Sequence, residues 1–288
     1  MQEFWIGLLI LAALYLIIQI VADTNRFHVV RYTIDITGSG KDLKLDRPLR
    51  IAFLSDLHGK RYGRDNEKLL AAVDGIAPDV VLIGGDMLTA HEGADIEQVF
   101  SLVRDLSSKY PVYYGSGNHE QRLALYPERF GDLSERLEKG IAENGAVRLI
   151  NDSVLLEGFP VEISSVEIQK RFYSRGRKPR MHRQDMHDCL TLKDRSRFQI
   201  LMAHNPEYFR TYRRWGADLV LSGHVHGGIV RLPILGGVIS PRVRLFPQYD
   251  GGHFNKENKD LIVSRGLGSH TIPLRLWNPG ELVEIEIR

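Results

Sequence analysis

Eight side chains of metal-ligand type recur in short polar blocks, each directly after an apolar run that predicts a β-strand. They are two carboxylates, one carboxamide and five imidazoles: Asp56 and His58 in SDLH, Asp86 in GGD, Asn118 and His119 in GNHE, His204 in MAHN, and His224 and His226 in GHVH. A lone Asp or His after a strand is most often a turn former or a helix cap. A cluster converging from five strand ends would leave polar groups poorly paired unless cations compensate them. The pattern therefore predicts a metal centre.

The types of ligand limit the choice of metal. Nitrogen and oxygen ligands without thiolate favour zinc, manganese or iron over calcium. A single cysteine, Cys189, excludes a CxxC-type metal site and an intramolecular disulfide. These ligands are too many for one tetrahedral ion, whereas two divalent ions about 3.5–4 Å apart, sharing a carboxylate, would use them all. That spacing is typical of hydrolytic metal pairs that act on phosphate.

The GHVH block and its glycines make local predictions. If a strand covers 218–226, alternation places His224 and His226 on the same side. Gly85, Gly117 and Gly223 would let the backbone turn sharply and approach the ions without a Cβ clash.

The elements that must position these blocks alternate in the first half of the chain. Apolar patterning predicts strands at 28–36, 49–59, 79–86 and 110–120, and helices at 66–76, 95–107 and 129–144. The second half is richer in short strands, predicted at 146–150, 152–157, 160–166, 198–205, 218–226, 261–266 and 281–288. Alternation of strand and helix predicts parallel pairing with helical crossovers. In such sheets ligands bind at the carboxyl ends of the strands, where the polar blocks fall.

In this order the blocks D-x-H, G-D, G-N-H-E, a lone His and G-H-x-H resemble the calcineurin-like metallophosphoesterase superfamily, over about residues 49–287. The resemblance implies an α/β fold, a four-layer αββα sandwich with the site at the strand ends. It implies that Asp86 bridges two ions, of which one is also held by Asp56, His58 and His226, and the other by Asn118, His204 and His224. His119 is similar to the family's substrate-facing histidine and would be catalytic rather than a ligand.

The same resemblance implies a metal-dependent phosphohydrolase, in which a hydroxide bridging the metals attacks phosphorus and His119 protonates the leaving group or stabilises its charge. Likeness to the membrane-anchored bacterial subgroup implies phosphodiester or pyrophosphate substrates, including lipid-linked or nucleotide-linked ones such as UDP-diacylglucosamine. One alternative is a non-catalytic metal-bound interaction module, although every expected ligand and His119 are present. Another is a nucleic-acid-processing metallophosphoesterase, which a broad cationic stripe would favour; only one basic run is visible, and nucleic acid is not the expected partner.

The amino-terminal run FWIGLLILAALYLIIQIVA, residues 4–22, carries no charge. As a helix it would be about 28 Å long, close to the roughly 30 Å hydrocarbon thickness of a bilayer. A cleaved signal peptide is the main alternative, but no basic residue precedes Phe4 and the small-residue site around Ala22 is poor. A core helix of this length would not be apolar all round. The sequence predicts a single-pass membrane anchor over 1–26 and one catalytic domain over 27–288.

Charges next to this run bear on orientation. The basic residues that follow it are Arg26, Arg31, Lys41 and Lys44, and none precedes it. The positive-inside tendency then favours a cytoplasmic catalytic domain. The net charge of +2 says little about partners.

The run QKRFYSRGRKPRMHRQ, 169–184, holds seven Lys/Arg and no acid. It is typical of a solvated surface loop, but also of a flap that grips an anionic substrate, a patch on anionic lipid, or a nucleic-acid contact with aromatic stacking. The predicted substrate contacts are Arg175, Arg177 and Lys178 in this run, and Arg265 in SRGLGSHTIPLR (264–275). For Arg265, and for His270 and Arg275 in the same segment, structural pairing is the alternative.

Overall fold

The strand–helix alternation is present in the computed structural model, which describes residues 1–174, 178–228, 230–232, 236–239, 247–269 and 274–288. In chain order the elements are α1 (Gln2–Asn25), β1 (Phe27–Ile34), β2 (Leu49–Leu54), α2 (Glu67–Ile76), β3 (Val80–Ile83), α3 (Ile96–Ser107), β4 (Val112–Tyr114), α4 (Asn118–Leu125), α5 (Pro127–Phe130), α6 (Leu133–Glu143), β5 (Val147–Arg148), β6 (Asp152–Leu155), β7 (Val161–Val166), α7 (Arg183–Cys189), β8 (Phe198–Ala203), α8 (Phe209–Trp215), β9 (Leu219–Ser222), β10 (Val230–Leu232), β11 (Gly236–Ile239), β12 (Gly252–Lys256), β13 (Lys259–Val263) and β14 (Gly280–Ile287). Short 3-10 helices include Lys170–Tyr173 and Pro206–Tyr208.

Two six-stranded sheets dominate the fold. The first has the order β1-β14-β2-β3-β4-β5 and the second β12-β13-β9-β8-β7-β6, and β10 pairs with β11 in a separate hairpin. Strands β2 to β5 pair in parallel, as do β7, β8, β9 and β13, so their carboxyl ends share an edge in each sheet. The last strand, β14, returns antiparallel to β2 and parallel to β1.

Three apolar cores define four layers. The middle core joins the facing sides of the sheets, with Phe53 and Leu82 from the first and Phe198 and Ile200 from the second. One outer core packs α2, α3 and α6 on the first sheet, and the other packs α7 and α8 on the second, with Trp215 fully buried. The strands are apolar on both faces because both faces are covered. The αββα arrangement implied by the sequence resemblance is confirmed.

Several predicted elements differ from the structure. The helix predicted over 129–144 is two helices, α5 and α6, because Gly131 adopts a φ of 59° between them. The strand predicted over 218–226 ends at Ser222, so GHVH lies in a loop rather than on a strand. Helices α4, α7 and α8 and strand β12 were not predicted; each is at most eight residues long, too short for a clear apolar period.

Helix α1 is exposed along its apolar length but docked at its last turn. Its most apolar stretch is not buried by the rest of the protein and has a mean hydropathy of 2.6. The helix is therefore long and apolar enough to cross a membrane, although a signal sequence has the same properties. By contrast Asp23 is fully buried and accepts hydrogen bonds from Gln19 and Arg26. Lys60 donates to Asn25 Oδ1 at 2.6 Å, and the Gly280 N–H donates to the Arg26 carbonyl at 3.0 Å.

Candidate metal centre

The predicted ligands lie in loops at the carboxyl ends of β2, β3, β8 and β9 and at the first residue of α4. Five of the seven have left-handed backbone, with φ between 50° and 72°: Asp56, His58, Asp86, His224 and His226. Positive φ is uncommon outside glycine and costs about 1–3 kcal/mol where it is imposed. The alternation argument for His224 and His226 is therefore wrong, because left-handed turns rather than strand pleating aim their rings.

The ligand atoms fall into compact groups. Asp56, His58 and His226 offer atoms within 4.8 Å of one another, and so do Asp86, His204 and His224. His226 thus lies with one group and His224 with the other. His58 Nε2 is 3.8 Å and His204 Nε2 is 3.1 Å from Asp86 Oδ2, so this carboxylate lies next to imidazoles of both groups, as Asp56 Oδ1 also does at 3.9 Å from His58 Nε2 and 3.7 Å from His204 Nε2.

The outer nitrogens of two histidines fix their tautomers. His204 Nδ1 lies 2.9 Å from the Gly84 carbonyl, and His226 Nδ1 lies 3.1 Å from the Gly268 carbonyl. A carbonyl only accepts, so both Nδ1 atoms carry the proton and a neutral ring presents an Nε2 lone pair to the site. His58 Nδ1 lies 3.1 Å from the Thr89 hydroxyl, which allows the same arrangement.

The buried carboxylates and imidazoles of the cluster lie close enough to shift one another's pKa values. Burial by itself raises the pKa of Asp86, but His204 and His119 lower it well below its usual range. Burial lowers the pKa of His204, while Asp86 and Asp56 raise it to about 10. Asn118 Oδ1 is buried and has no hydrogen-bond partner among the described residues. An orphaned amide oxygen, lone pairs turned inward and a nitrogen–oxygen ligand set fit divalent metal ions.

The space around three glycines in these loops is too small for a side chain. A Cβ on Gly85 would lie 2.0 Å from the Gly117 nitrogen, and one on Gly117 would lie 2.1 Å from Asp86 Oδ1. A Cβ on Gly223 would lie 2.0 Å from Asp56 Oδ2. Gly85 also has a φ of 89°, whereas Gly117 at −97° does not need glycine for its turn. Close packing against backbone or predicted ligand atoms therefore requires glycine at all three positions, and the sharp turn holds for Gly85; the approach to the ions stays a prediction.

Glu120 organises the loops without being a predicted site residue. Its buried carboxylate accepts from the backbone N–H groups of Asp86 (2.8 Å), Met87 (3.0 Å) and Gly117 (3.0 Å). It also accepts from the Tyr114 hydroxyl at 2.9 Å. Two of these bonds reach the β3 loop and two lie within the β4–α4 segment, so Glu120 ties the two loops together. The sequence placed Glu120 in the GNHE block, but nothing in that block distinguished it from a helix-initiating acid.

His119 differs from the ligand histidines in its hydrogen bonds. Its Nδ1 accepts the Ala90 N–H at 2.9 Å, so the proton of a neutral ring lies on Nε2. Its backbone N–H donates to Asp86 Oδ1 at 2.8 Å, and its ring lies edge-on to His58, with centroids 5.0 Å apart. The side chain is therefore arranged beside the centre as a hydrogen-bond donor.

Part of the basic run reaches the site. Phe172 is buried, and its carbonyl accepts from Asn205, the residue after His204, at 3.0 Å. The adjacent Tyr173 lies edge-on to the His224 ring, with centroids 5.2 Å apart. The Tyr173 side chain thus lies against a predicted ligand histidine. The sequence had indicated the aromatic residues of this run only as a surface on which bases could stack.

Two of the four predicted substrate contacts, Lys178 and Arg265, lie among the described residues, and both have partners within the protein. Lys178 donates to the Glu207 carbonyl and lies over the Tyr208 ring, 4.6 Å from its centroid. Arg265 Nε lies 3.1 Å from Glu281 Oε2, and the buried Arg275 donates to the carbonyls of Arg265, Gly266 and Gly268. The structure thus favours structural pairing for these two arginines. Arg175, Arg177 and His270 lie outside the described residues.

Comparisons with known proteins identify similar chains. The family model described as calcineurin-like phosphoesterase matches residues 49–228. An uncharacterised metallophosphoesterase of Campylobacter jejuni is 27% identical over 246 residues, covering 85% of this chain; the chain spans 60% of that relative's length. Phosphodiesterase YaeI of Escherichia coli is 24% identical, with 77% of this chain and 76% of the relative covered. The crystal structure of a dimetal phosphatase from Danio rerio matches with a TM-score of 0.43 and 11% identity, over 76% of this chain and 87% of that chain.

Proposed function

The chain belongs to the calcineurin-like phosphoesterase family, and from that premise we propose that it is a two-metal phosphohydrolase acting on phosphodiester or pyrophosphate bonds. The single observation that carries the proposal is the pair of ligand groups on either side of Asp86. We assign Asp56, His58 and His226 to one ion, Asn118, His204 and His224 to the other, and Asp86 to both. Two bound divalent ions would supply activated water and neutralise phosphate oxygens; manganese, zinc or iron would suit the ligands.

The chain's own residues do the remaining work. Gly84 and Gly268 carbonyls hold two imidazoles so that Nε2 faces the centre. Glu120 holds the loops that carry Asp86 and Asn118. His119 Nε2 gives a proton to the departing oxygen, or a hydrogen bond to it, since Ala90 holds Nδ1 as an acceptor. His119 is the catalytic residue of this proposal.

The proposed location is the membrane, with α1 retained as an anchor and the catalytic domain, 27–288, facing the cytoplasm. The last turn of α1 contacts Lys60, two residues after His58, and its Thr24 hydroxyl accepts the Arg275 N–H at 3.3 Å. Arg275 in turn holds the Gly268 carbonyl that orients His226. The anchor therefore ends beside the catalytic crevice, which supports a substrate at the bilayer surface, such as a lipid-linked phosphodiester or diphosphate.

The test is a panel assay of the full-length protein in detergent, after removal of metal and reconstitution with Mn²⁺, Zn²⁺ or Fe²⁺. The panel holds bis-p-nitrophenyl phosphate, p-nitrophenyl phosphate and a lipid-linked UDP-sugar. We expect about two metal ions per chain and turnover of the first and third compounds. Asp86→Asn, which weakens the bridge, should abolish both metal binding and turnover. A protein that binds no divalent metal under any of these conditions would refute the proposal.

A further inference from the structure

A cationic cleft lies beside the catalytic crevice, between the segment 178–183 and α8. Its volume is about 560 Å³, and its lining includes Lys178, Arg180, Arg183, Arg210 and Arg214, with Glu207 as the one acidic lining residue. Arg210 and Arg214 are four residues apart on α8, so they project from the same face of the helix. Five permanent cations around one cleft repel one another and favour an anionic occupant.

The arginines of this cleft have no ion-pair partner of their own. Across the described part of the chain, Arg180, Arg183, Arg210 and Arg214 form no ion pair, and all four are exposed. The exposed Glu257 is ion-paired with Arg213 and interacts electrostatically with Arg210 and Arg214 from beyond ion-pair distance, so it compensates their charges only in part. Guanidinium groups form bidentate hydrogen bonds with phosphate oxygens. Several arginines around one cleft therefore favour phosphate as the anion that binds there.

Contacts between aromatic rings connect the cleft to the metal centre. Lys178 lies over Tyr208, and the Tyr208 ring lies edge-on to Phe172, with centroids 5.1 Å apart. The next residue, Tyr173, lies against His224. The cleft is thus on the His204–His224 side of the crevice, while α1 is docked near His58 and Arg275 on the other side. Phe172 and Tyr173 therefore lie between the cleft and the ligand histidines.

We propose that the cleft binds a second phosphate of the substrate, separated along the molecule from the phosphate that is cleaved; this inference rests on the proposed function. The scissile phosphate lies at the Asp and His ligands, Tyr173 packs against the connecting part of the molecule, and Arg210 and Arg214 bind the distant phosphate. The proposed substrate is then a molecule that carries at least two phosphates separated along its length, rather than a phosphodiester with a single phosphate.

Oligothymidylates of one to four nucleotides are the probes, because they add phosphates at regular spacing. Their linkages are phosphorothioates, which keep the negative charge but slow cleavage by the proposed activity. Their affinities are measured by calorimetry for the full-length, Mn²⁺-loaded protein in nanodiscs of zwitterionic lipid. We expect the tetranucleotide to bind at least about tenfold more tightly than the mononucleotide, from added charge-assisted hydrogen bonds. In Arg210→Gln/Arg214→Gln this ratio should approach one. Arg136→Gln/Lys139→Gln on α6 removes the same charge from an exposed face and should keep the native ratio.

The possible results distinguish failure of the second-phosphate proposal from failure of the proposed function. If the double variant on α8 keeps the native ratio, or if the native protein shows no dependence on length, the cleft does not bind a second phosphate. If anionic lipid in the nanodisc abolishes the length dependence, lipid headgroups occupy the cleft and the proposal is also wrong. Failure to hydrolyse bis-p-nitrophenyl phosphate would instead refute the proposed function, while the binding ratios would still decide the role of the cleft.

Discussion

At the scale of single residues, one atom decides the role of each histidine. His204 and His226 donate from Nδ1 to backbone carbonyls, whereas His119 accepts a backbone N–H at the same atom. The sequence resemblance implied that His119 differs in role from the other two, but the residue type alone does not. The proposed division into metal ligands and a proton donor agrees with which backbone group faces the outer nitrogen.

Replacing His119 tests this division. His119→Asn keeps an acceptor for the Ala90 N–H but removes the ring nitrogen that faces the crevice. We expect an unchanged metal content and turnover of bis-p-nitrophenyl phosphate lower by about 10²–10⁴-fold, as for loss of a general acid. Elemental analysis and steady-state kinetics measure the two quantities. Loss of metal in this variant would mean that His119 is a ligand.

Gly117 gives a second test, because its backbone conformation suits any residue and only space excludes a side chain. In Gly117→Ala the new Cβ would lie 2.1 Å from Asp86 Oδ1 and displace the proposed bridging carboxylate. We expect metal affinity to fall by about 10–100-fold, the usual effect of disturbing a ligand's support. Gly75→Ala is the control, since nothing lies within 4 Å of its Cβ. Equal metal affinity in both variants would show that the β3 and β4 loops adjust freely.

At the scale of elements, apolar patterning predicted the layers better than the loops. Strands β2, β3 and β8 lie within their predicted ranges because each is mostly apolar and is followed by polar residues or glycine. Helix α4 was missed because Asn118–Leu125 has little apolar periodicity and begins with the ligand itself. The positive φ values of Asp56 and Asp86 have no signal in the sequence, since Asp is common in both turns and extended loops. Similarly, the insertion of β14 between β1 and β2 depends on pairing across more than 200 residues, which local patterning cannot predict.

Glu120 connects α4 to the ends of two strands, so its substitution tests how these elements are held. Glu120→Gln leaves the shape nearly unchanged but replaces one oxygen, which accepts two hydrogen bonds, by an NH₂ donor. We expect the free energy of unfolding to fall by about 1–3 kcal/mol for each buried donor left without an acceptor. Urea denaturation of the metal-free protein measures it. The exposed Glu138 on α6 is the control, and a Glu120→Gln variant as stable as Glu138→Gln would contradict this role.

At the scale of the whole molecule, α1 combines two surfaces with different requirements. Residues 4–18 are apolar, apart from the Tyr15 hydroxyl, and largely exposed, whereas the last turn, with the buried Asp23, is hydrogen-bonded to the domain that follows. A boundary placed at residue 26 from the sequence therefore separates groups that the structure joins. The proposed anchor and the catalytic domain share this turn.

Two truncations distinguish the surfaces. A chain beginning at Gln19 should leave the membrane fraction yet keep the thermal midpoint of the full protein, because the contacts of Asn25 and Arg26 are retained. A chain beginning at Phe27 should also be soluble but melt several degrees lower, at about 2–4 °C per kcal/mol lost. Fractionation and differential scanning fluorimetry measure both effects. Identical midpoints would show that the last turn of α1 adds nothing to the domain.

The docked end of α1 has a kinetic consequence. A flexible linker would let the active site move through a volume of solvent, but hydrogen bonds from Lys60 and Gly280 to Asn25 and Arg26 join the end of the helix directly to the domain. With α1 in a bilayer, the crevice would stay within a thin layer of fixed height above the lipid. Enzyme and an embedded substrate would then meet by lateral diffusion in a plane, and the rate would depend on substrate per unit of membrane area rather than per unit of volume.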